Sequence, residues 1–140
     1  MSAYRLGIDI GSTTVKAVLI DDSNNIIYSN YKRHMAKIQE TLAELLLEAK
    51  TLIGPCEVRP VITGSGGLNL SRLLGVPFTQ EVVAVSTALE KEASKVDVAV
   101  ELGGEDAKII YFTGGVDQRM NGICAGGTGS FIDQMASLLQ

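Results

Sequence analysis

The sequence predicts an α/β protein built from two similar strand-rich segments. Apolar and polar residues alternate in short runs in both segments of the 140-residue chain, which is the period of a β-strand. Between residues 35 and 53 the apolar residues instead recur at helical spacing. The order of three consecutive strands returns after residue 95, which indicates an internal duplication.

The first strands surround a short polar turn. Every second residue from Tyr4 to Ile10 is apolar, so Asp9 is predicted to point to the opposite face of the first strand. Residues 15–20 and 26–32 are predicted as two further strands of an antiparallel meander. An ionised Asp in a strand is costly unless it is paired or faces an ion, so Asp9 indicates a cation nearby.

The turn after Asp9 has the composition of a phosphate-binding turn. Gly11 lets backbone amides approach a ligand closely, and the hydroxyls of Ser12, Thr13 and Thr14 add donors for phosphate oxygens. This combination suits a magnesium nucleotide. Asp-x-Gly-Ser also makes an ordinary β-turn, so the motif taken alone leaves a simple hairpin open.

A long amphipathic helix is predicted from Met35 to Ile53. Its charged residues lie on the side opposite its apolar ones, and Gly54-Pro55 supplies a C-terminal stop. The predicted apolar side consists of Met35, Ile38, Leu42, Leu45, Leu46, Ala49, Leu52 and Ile53.

The chain then returns to a strand before two more helices. Residues 58–63 are predicted as a strand, in which Pro60 is better tolerated near the start or at a sheet edge. A glycine-rich turn at residues 64–67 leads into a short helix at 68–74, and a longer helix follows at 81–94. The order to this point is βββαβαα.

The second segment repeats the layout of the first. A strand ends on an acidic residue, a glycine turn follows, and a lysine lies on the next strand. Two such turns facing each other would clamp phosphates and a hydrated Mg²⁺. The residues of this pattern are Asp9, Gly11 and Lys16 in the first segment and Glu101, Gly103, Gly104, Glu105, Asp106 and Lys108 in the second.

Composition excludes several other classes of protein. An apolar content of 46% excludes disorder, and a net charge of −4 without a Lys/Arg cluster argues against nucleic acid or an anionic membrane. No apolar run is long enough to span a bilayer and no leader is apparent, so we expect a cytosolic protein. The GxGxxG fingerprint and the P-loop motif are both absent in their required context.

Cys124 lies at the glycine-rich entrance of a predicted helix. Backbone amides and the positive end of the helix favour the thiolate, which is the form that binds metals. Cys56 lies far away in sequence, so no disulfide framework or self-contained metal site can be argued from the two cysteines. A buried, purely structural Cys124 stays open at this point. The helix presents an apolar face made of Phe131, Ile132, Met135, Leu138 and Leu139.

The two turns resemble the phosphate motifs of the superfamily that contains actin, the chaperone ATPases and the sugar kinases. The resemblance rests on Asp-x-Gly-Ser-Thr at residues 9–13 and acidic-x-Gly-Gly at residues 101–104. It implies a ribonuclease-H-like fold, a mixed five-stranded sheet flanked by helices, with ATP between two lobes. Residues 1–94 would form the first lobe and residues 95–140 an incomplete second lobe, so we expect this chain to be an inactive fragment on its own.

The cysteine segment narrows the resemblance to one family. Together with GIDIGSTT and LGGEDAK, the segment from Asn121 to Gly129 resembles the BadF/BadG/BcrA/BcrD ATPases, which activate 2-hydroxyacyl-CoA dehydratases. The resemblance implies a dimeric ATPase that holds a [4Fe–4S] cluster between its subunits. Such an ATPase couples hydrolysis to low-potential electron transfer into a dehydratase-like or double-cubane partner. Self-association of this chain is also expected.

Each site residue has an expected role. Asp9, Glu101 and Asp106 are the expected catalytic residues, with Asp9 ordering Mg²⁺ through a water, and the resemblance implies that Cys124 binds the cluster. Glu101 stands where Asp is usual and Glu105 where Gln is usual, which is closer to the large tandem activase-like proteins. The expected nucleotide-binding residues are Gly11, Ser12, Thr13, Thr14, Lys16, Gly103, Gly104, Glu105 and Lys108.

Two other functions remain open on the sequence. A small-molecule kinase of the same superfamily would share the phosphate turns but also need a base to deprotonate an acceptor hydroxyl. A non-catalytic nucleotide-sensing or assembly module of the actin type would use Cys124 only for packing.

Overall fold

The structure is a computed structural model that describes residues 4–93, 95–121 and 128–139. Contacts between Cα atoms divide the chain into two compact units, Met1–Glu81 and Val82–Gln140. The last helix of the predicted first lobe therefore groups with the second unit. The lobe boundary at residue 94 stays a prediction.

The first unit contains a four-stranded sheet and two helices in its described residues. Its elements in chain order are β1 (Tyr4–Ile10), β2 (Thr14–Ile20), β3 (Ile26–Arg33), α1 (Ile38–Ile53), β4 (Val58–Thr63) and α2 (Gly67–Leu74). The strand order in the sheet is β3-β2-β1-β4. The meander β1-β2-β3 is antiparallel, as predicted, and β4 lies parallel to β1. The first unit is therefore a mixed sheet.

Strand alternation builds the core of the first unit. Leu6, Ile8 and Ile10 of β1 are buried, while Gly7 between them is exposed. Leu45 of α1 is fully buried against this face. Burial of each such Leu or Ile side chain stabilises the fold by about 1.5–3 kcal/mol. The remaining buried members of this core are Val15, Ala17, Leu19, Leu42 and Ile62.

The fifth position of the predicted five-stranded sheet is occupied by a single bridge. Phe78 forms a parallel bridge with Ile62 on the outer side of β4. The Ile62 N–H donates to the carbonyl of Pro77 at 2.9 Å, and the Thr79 N–H donates to the carbonyl of Ile62 at 2.9 Å. The sheet thus has four strands and one extra bridge. Pro60 lies on β4, at the edge of the four-stranded sheet, as its missing N–H requires.

Helix α1 begins later than the sequence predicts. Met35 and Ala36 have φ values of 46° and 64°, which is left-handed backbone and cannot form part of a right-handed helix. The first helical residue is Ile38. Met35 and Leu52 were predicted on the apolar side and are 75% and 62% exposed, so these two assignments are wrong. The predicted stop at Gly54 is confirmed, with φ at 69°.

The second unit contains a three-stranded antiparallel sheet in its described residues. Its elements are α3 (Glu81–Glu92), β5 (Val98–Leu102), β6 (Ala107–Tyr111), β7 (Asp117–Met120) and α4 (Gly129–Leu138). The strand order is β5-β6-β7. Ile110 is fully buried. By contrast, the predicted apolar face of α4 is exposed, with Leu138 at 76%.

No helix in the described ranges has the length and apolar character needed to cross a membrane.

Candidate phosphate-binding site

Asp9 lies at the end of β1 and pairs with a lysine on the neighbouring strand. Lys16 is its cross-strand partner in the register of β1 and β2, and Lys16 Nζ lies 2.7 Å from Asp9 Oδ2. The Asp9 side chain is 30% exposed. Since an ionised carboxylate in a strand needs a counter-charge, Lys16 supplies one and keeps Asp9 at the mouth of the turn.

The turn after β1 is closed by one backbone hydrogen bond. The Gly11 N–H donates to the Thr14 carbonyl at 2.9 Å. Ser12 at the tip is exposed, and Thr13 and Thr14 are half-buried. A Cβ on Gly11 would lie 3.4 Å from the Thr14 carbonyl oxygen, which is tighter than most such contacts. The hydroxyl-rich tip thus lies at the surface, where it can meet a ligand.

The turn between β5 and β6 repeats this geometry. The Gly103 N–H donates to the Asp106 carbonyl at 2.8 Å, which is the counterpart of the Gly11–Thr14 bond. Glu101 and Lys108 are cross-strand partners, as Asp9 and Lys16 are in the first unit. The same register therefore places an acid and a lysine beside each turn.

Lys108 is the most buried charged residue of the second turn. It is only 8% exposed, and its Nζ lies 3.3 Å from Asp106 Oδ2 and 3.6 Å from Glu101 Oε1. A buried ammonium group requires such partners. A Cβ on Gly103 would lie 2.3 Å from Asp106 Oδ1, so only glycine leaves room for this carboxylate. The described site therefore brings Glu101, Gly103, Asp106 and Lys108 together.

A third loop, which the sequence analysis treated only as a flexible turn, packs against Asp9. Since β1 and β4 are parallel, the loops after both strands lie at the same sheet edge. Gly64 has φ at 96°, and a Cβ there would lie 2.5 Å from Asp9 Oδ1 and 2.3 Å from the Ile10 carbonyl oxygen. The Gly66 N–H donates to that same carbonyl at 2.9 Å. Gly64 and Gly66 thus fix the end of β1, and the parallel strand pattern could have indicated this.

Thr63 adds a polar atom next to this loop. It is the register partner of Asp9, so both side chains lie on the same face of the sheet. Its Oγ1 is buried and has no hydrogen-bond partner among the described residues.

The carbonyl groups of each turn are also contacted by the segment that leads into the next helix. In the first unit His34, which the sequence analysis did not select, contacts the carbonyls of Gly11 and Thr13. In the second unit Gly129 and Ser130, at the start of α4, contact the carbonyls of the glycine turn.

Of the two cysteines, Cys56 lies within the described residues and Cys124 does not. Cys124 lies outside the described residues, so its predicted role as a cluster ligand stays a prediction. Cys56 is exposed in the loop between α1 and β4. Within residues 4–93, 95–121 and 128–139, no group of three or more His, Cys, Asp or Glu could hold a metal ion.

A family profile decides the relationship of this chain to known proteins. The profile of the BadF/BadG/BcrA/BcrD ATPase family matches residues 6–140. This chain belongs to that family. Both glycine turns and both cross-strand acid–lysine pairs lie inside the matched range.

Several curated relatives of this chain are dehydratase activators. The chain is 27% identical to the (R)-2-hydroxyglutaryl-CoA dehydratase activating ATPase of Acidaminococcus fermentans and covers 55% of that protein, with all of this chain aligned. It is 30% identical to the activator of lactoyl-CoA dehydratase of Anaerotignum propionicum, with 98% of this chain and 54% of the relative covered. The chain therefore spans about half the length of these relatives.

A solved structure of a related activator supports the fold. The activator of the 2-hydroxyisocaproyl-CoA dehydratase from Clostridium difficile, with bound ADPNP, superposes with a TM-score of 0.79 at 27% identity. The match covers 97% of this chain and 52% of that structure. The α/β fold predicted from the sequence is thus confirmed as that of the activator ATPases.

Proposed function

We propose that this chain supplies the phosphate-binding turns of an ATPase that activates a 2-hydroxyacyl-CoA dehydratase-like or double-cubane enzyme. The observation that carries the proposal is the repeated turn geometry in a member of this ATPase family. Each turn combines a closing hydrogen bond from a glycine with a cross-strand acid–lysine pair. The ADPNP bound to the related activator indicates the class of ligand.

The residues of the first turn fit a magnesium nucleotide. Gly11 lets a ligand approach the backbone closely, the hydroxyls of Ser12, Thr13 and Thr14 offer donors for phosphate oxygens, and the partly exposed Asp9 offers an acceptor to a water bound to Mg²⁺. Bound Mg²⁺ would neutralise charge on the phosphates. Lys16 neutralises Asp9 when no cation is present, which prevents repulsion between this carboxylate and an incoming phosphate.

We propose that the second turn also binds phosphates of the nucleotide. Gly103, Gly104 and Glu105 provide the turn, and Lys108 holds the carboxylates of Glu101 and Asp106 in place. We assign these two carboxylates to the metal or to the attacking water. The adenosine contacts would come from a part of the intact protein that corresponds to the half of the relatives not covered by this chain.

Electron transfer is the further part of the proposal. A [4Fe–4S] cluster held between two subunits would supply the electron, with Cys124 as one ligand from each subunit. The sequence has glycines at residues 126, 127 and 129, and such small residues would let a partner subunit and a cluster approach.

The role of Asp9 can be tested in the intact protein that carries this chain. We expect Asp9→Asn to lower ATP turnover by roughly 100-fold, because misplaced Mg²⁺ and water lose their alignment with the phosphate. Affinity for ADPNP should change much less, since the donors of the turn remain. Steady-state ATPase assays and calorimetric ADPNP titration measure these two quantities.

Asp22→Asn is the matched control for this experiment, because Asp22 is exposed in the turn between β2 and β3. It should leave turnover unchanged. Unchanged turnover in Asp9→Asn would contradict the assignment. Nucleotide binding by the unaltered protein without any turnover would favour the assembly module, and phosphate transfer to a small hydroxyl compound would favour the kinase.

A further inference from the structure

His34 contacts the backbone of the turn between β1 and β2. It is 8% exposed and belongs to the link between β3 and α1. Its backbone N–H donates to the Thr13 carbonyl at 3.1 Å, and its ring Nε2 lies 3.3 Å from the Gly11 carbonyl oxygen. A buried histidine is often only a satisfied core residue, but here both of these contacts end on the turn.

The hydrogen bonds around the ring select one tautomer. The Ala36 N–H donates to His34 Nδ1 at 3.1 Å, so Nδ1 must act as an acceptor and carry no proton. In a neutral imidazole the proton then resides on Nε2. The Nε2–H group is therefore the donor to the Gly11 carbonyl.

The backbone of the link is bent to make this arrangement. Met35 and Ala36 both have positive φ, which non-glycine residues adopt rarely and which is retained where the surrounding structure enforces it. This bend returns the Ala36 N–H to the ring of the residue two positions earlier. The backbone of this link thus fixes the orientation of the His34 imidazole.

In the second unit, backbone amides rather than a histidine bind the carbonyl groups of the turn. There the Gly129 N–H donates to the Gly103 carbonyl at 2.8 Å, and the Ser130 N–H donates to the Gly104 carbonyl at 3.3 Å. These donors are backbone amides in the first turn of α4, where they have no partner within the helix. The Ser130 hydroxyl also donates to the Gly104 carbonyl. The carbonyl groups of both turns are thus bound by the segment that leads into a helix, and in the first unit His34 makes both of the contacts described above.

Binding the carbonyl of a turn also orients the next amide. The described part of the chain has no cis peptide bond, and in a trans peptide the C=O of one residue and the N–H of the next point in opposite directions. The Gly11 carbonyl points towards His34, so the Ser12 N–H points away from it. An anion-binding turn requires its amides to face the ligand.

We propose that His34 is a positioning residue that holds the Gly11 carbonyl through its Nε2–H group and thereby aims the Ser12 N–H at a phosphate of the nucleotide. This inference rests on the proposed function, because it assumes that the first turn binds phosphate. It adds a residue outside the turn to the binding machinery and names the ring nitrogen through which that residue acts.

Two substitutions separate the two ring contacts in the intact protein. His34→Gln places an amide N–H near the position of Nε2 and keeps the donor to Gly11. His34→Asn places an acceptor near Nδ1 and loses the bond to Gly11. We expect His34→Asn and His34→Ala to weaken the binding of Mg·ADPNP by roughly 10-fold, the equivalent of one to two hydrogen bonds, and His34→Gln to restore most of this loss.

Kinetics and stability distinguish positioning from packing. If the turn binds the ground state and the transition state equally, its disturbance in His34→Asn should raise KM for ATP and change kcat little. Asp9→Asn should instead lower kcat. Thr41→Val is the matched structural control. It removes a hydroxyl that donates to the Lys37 carbonyl at 2.8 Å in the same link, and it should lower the melting temperature without changing the affinity for Mg·ADPNP.

The outcomes separate the two proposals. If the unaltered protein binds no Mg·ADPNP, the proposed function fails, and with it the inference about His34. If the unaltered protein binds but the folded His34→Asn protein binds equally well, or the Asn and Gln variants behave alike, only the role of His34 is overturned. If His34→Ala does not fold, the comparison of the Asn and Gln variants decides.

Discussion

At the residue scale, the clearest electrostatic feature outside the site is Glu48 on α1. The pKa of Glu48 is lowered from 4.5 to about 2, first by the hydrogen bond from Lys32 and then by those from Asn30 and Tyr28. Lys32 Nζ lies 2.7 Å from Glu48 Oε1, and the Tyr28 hydroxyl donates to Glu48 Oε2 at 2.9 Å. This cluster connects β3 to α1 across the surface of the first unit.

The lowered pKa predicts how stability depends on pH. A carboxylate whose folded pKa lies below its unfolded pKa stabilises the fold above the unfolded value. The contribution of Glu48 should therefore be complete above about pH 4.5 and be lost as pH falls towards 2. Glu48→Gln should reduce the loss of stability in this window, as measured by urea unfolding at a series of pH values.

Glu40→Gln is the control, because Glu40 is exposed in the first turn of the same helix. It should keep the pH dependence of the unaltered protein. An identical pH dependence in Glu48→Gln and the unaltered protein would show that the cluster does not contribute. Because the cluster is exposed, its effect should also decrease in high salt.

At the element scale, the loop after β4 determines where Asp9 lies. Gly64→Ala combines a backbone penalty from its positive φ, roughly 1–2 kcal/mol, with a Cβ that would overlap the Ile10 carbonyl oxygen and Asp9 Oδ1. We expect a lower free energy of unfolding and, in the protein that still folds, reduced ATP turnover. Urea unfolding and ATPase assays measure both.

Gly54→Ala provides a matched comparison for this substitution. Gly54 also has a positive φ, at 69°, but nothing lies within 4 Å of a Cβ built there. It should therefore cost only the backbone penalty and leave turnover unchanged. Equal effects of the two substitutions would show that the contact between the loop and Asp9 is unimportant.

The element order was predictable because it depends on local pattern. The alternation predicts the extent of β1 correctly, and the glycine after α1 predicts the C-terminal end of that helix correctly. The start of α1 was not predictable, since Met35 fits the helical period but has a positive φ in the bend that brings the Ala36 N–H to the ring of His34. The exposure of Leu52 was not predictable either, because the helical period does not tell which apolar residues near the end of a helix are buried.

The site was predictable where it lies within one hairpin. Asp9, Gly11 and Lys16 are close in sequence, and so are Glu101, Gly103 and Lys108, so the strand register brings each set together. His34 and Gly64 reach Gly11 and Asp9 from distant parts of the chain. Both contributions depend on tertiary contacts. The contact of Gly64 follows from the parallel pairing of β1 and β4, whereas no local sequence pattern indicates the contact of His34.

At the scale of the whole molecule, the two units contain turns of the same geometry, and different groups hold each turn in place. The first turn is bound by an imidazole and a glycine loop, and the second by the amide groups of α4. We propose that both turns bind phosphates of the nucleotide in the intact member of the BadF/BadG/BcrA/BcrD family.

The most direct measurement is a crystal structure of the intact protein with Mg²⁺ and ADPNP. We predict phosphate oxygens at hydrogen-bond distance, about 2.7–3.2 Å, from donors of both Gly11–Thr14 and Gly103–Asp106, with Asp9 contacting a water on Mg²⁺. A nucleotide bound with neither turn within reach of a phosphate would contradict the account.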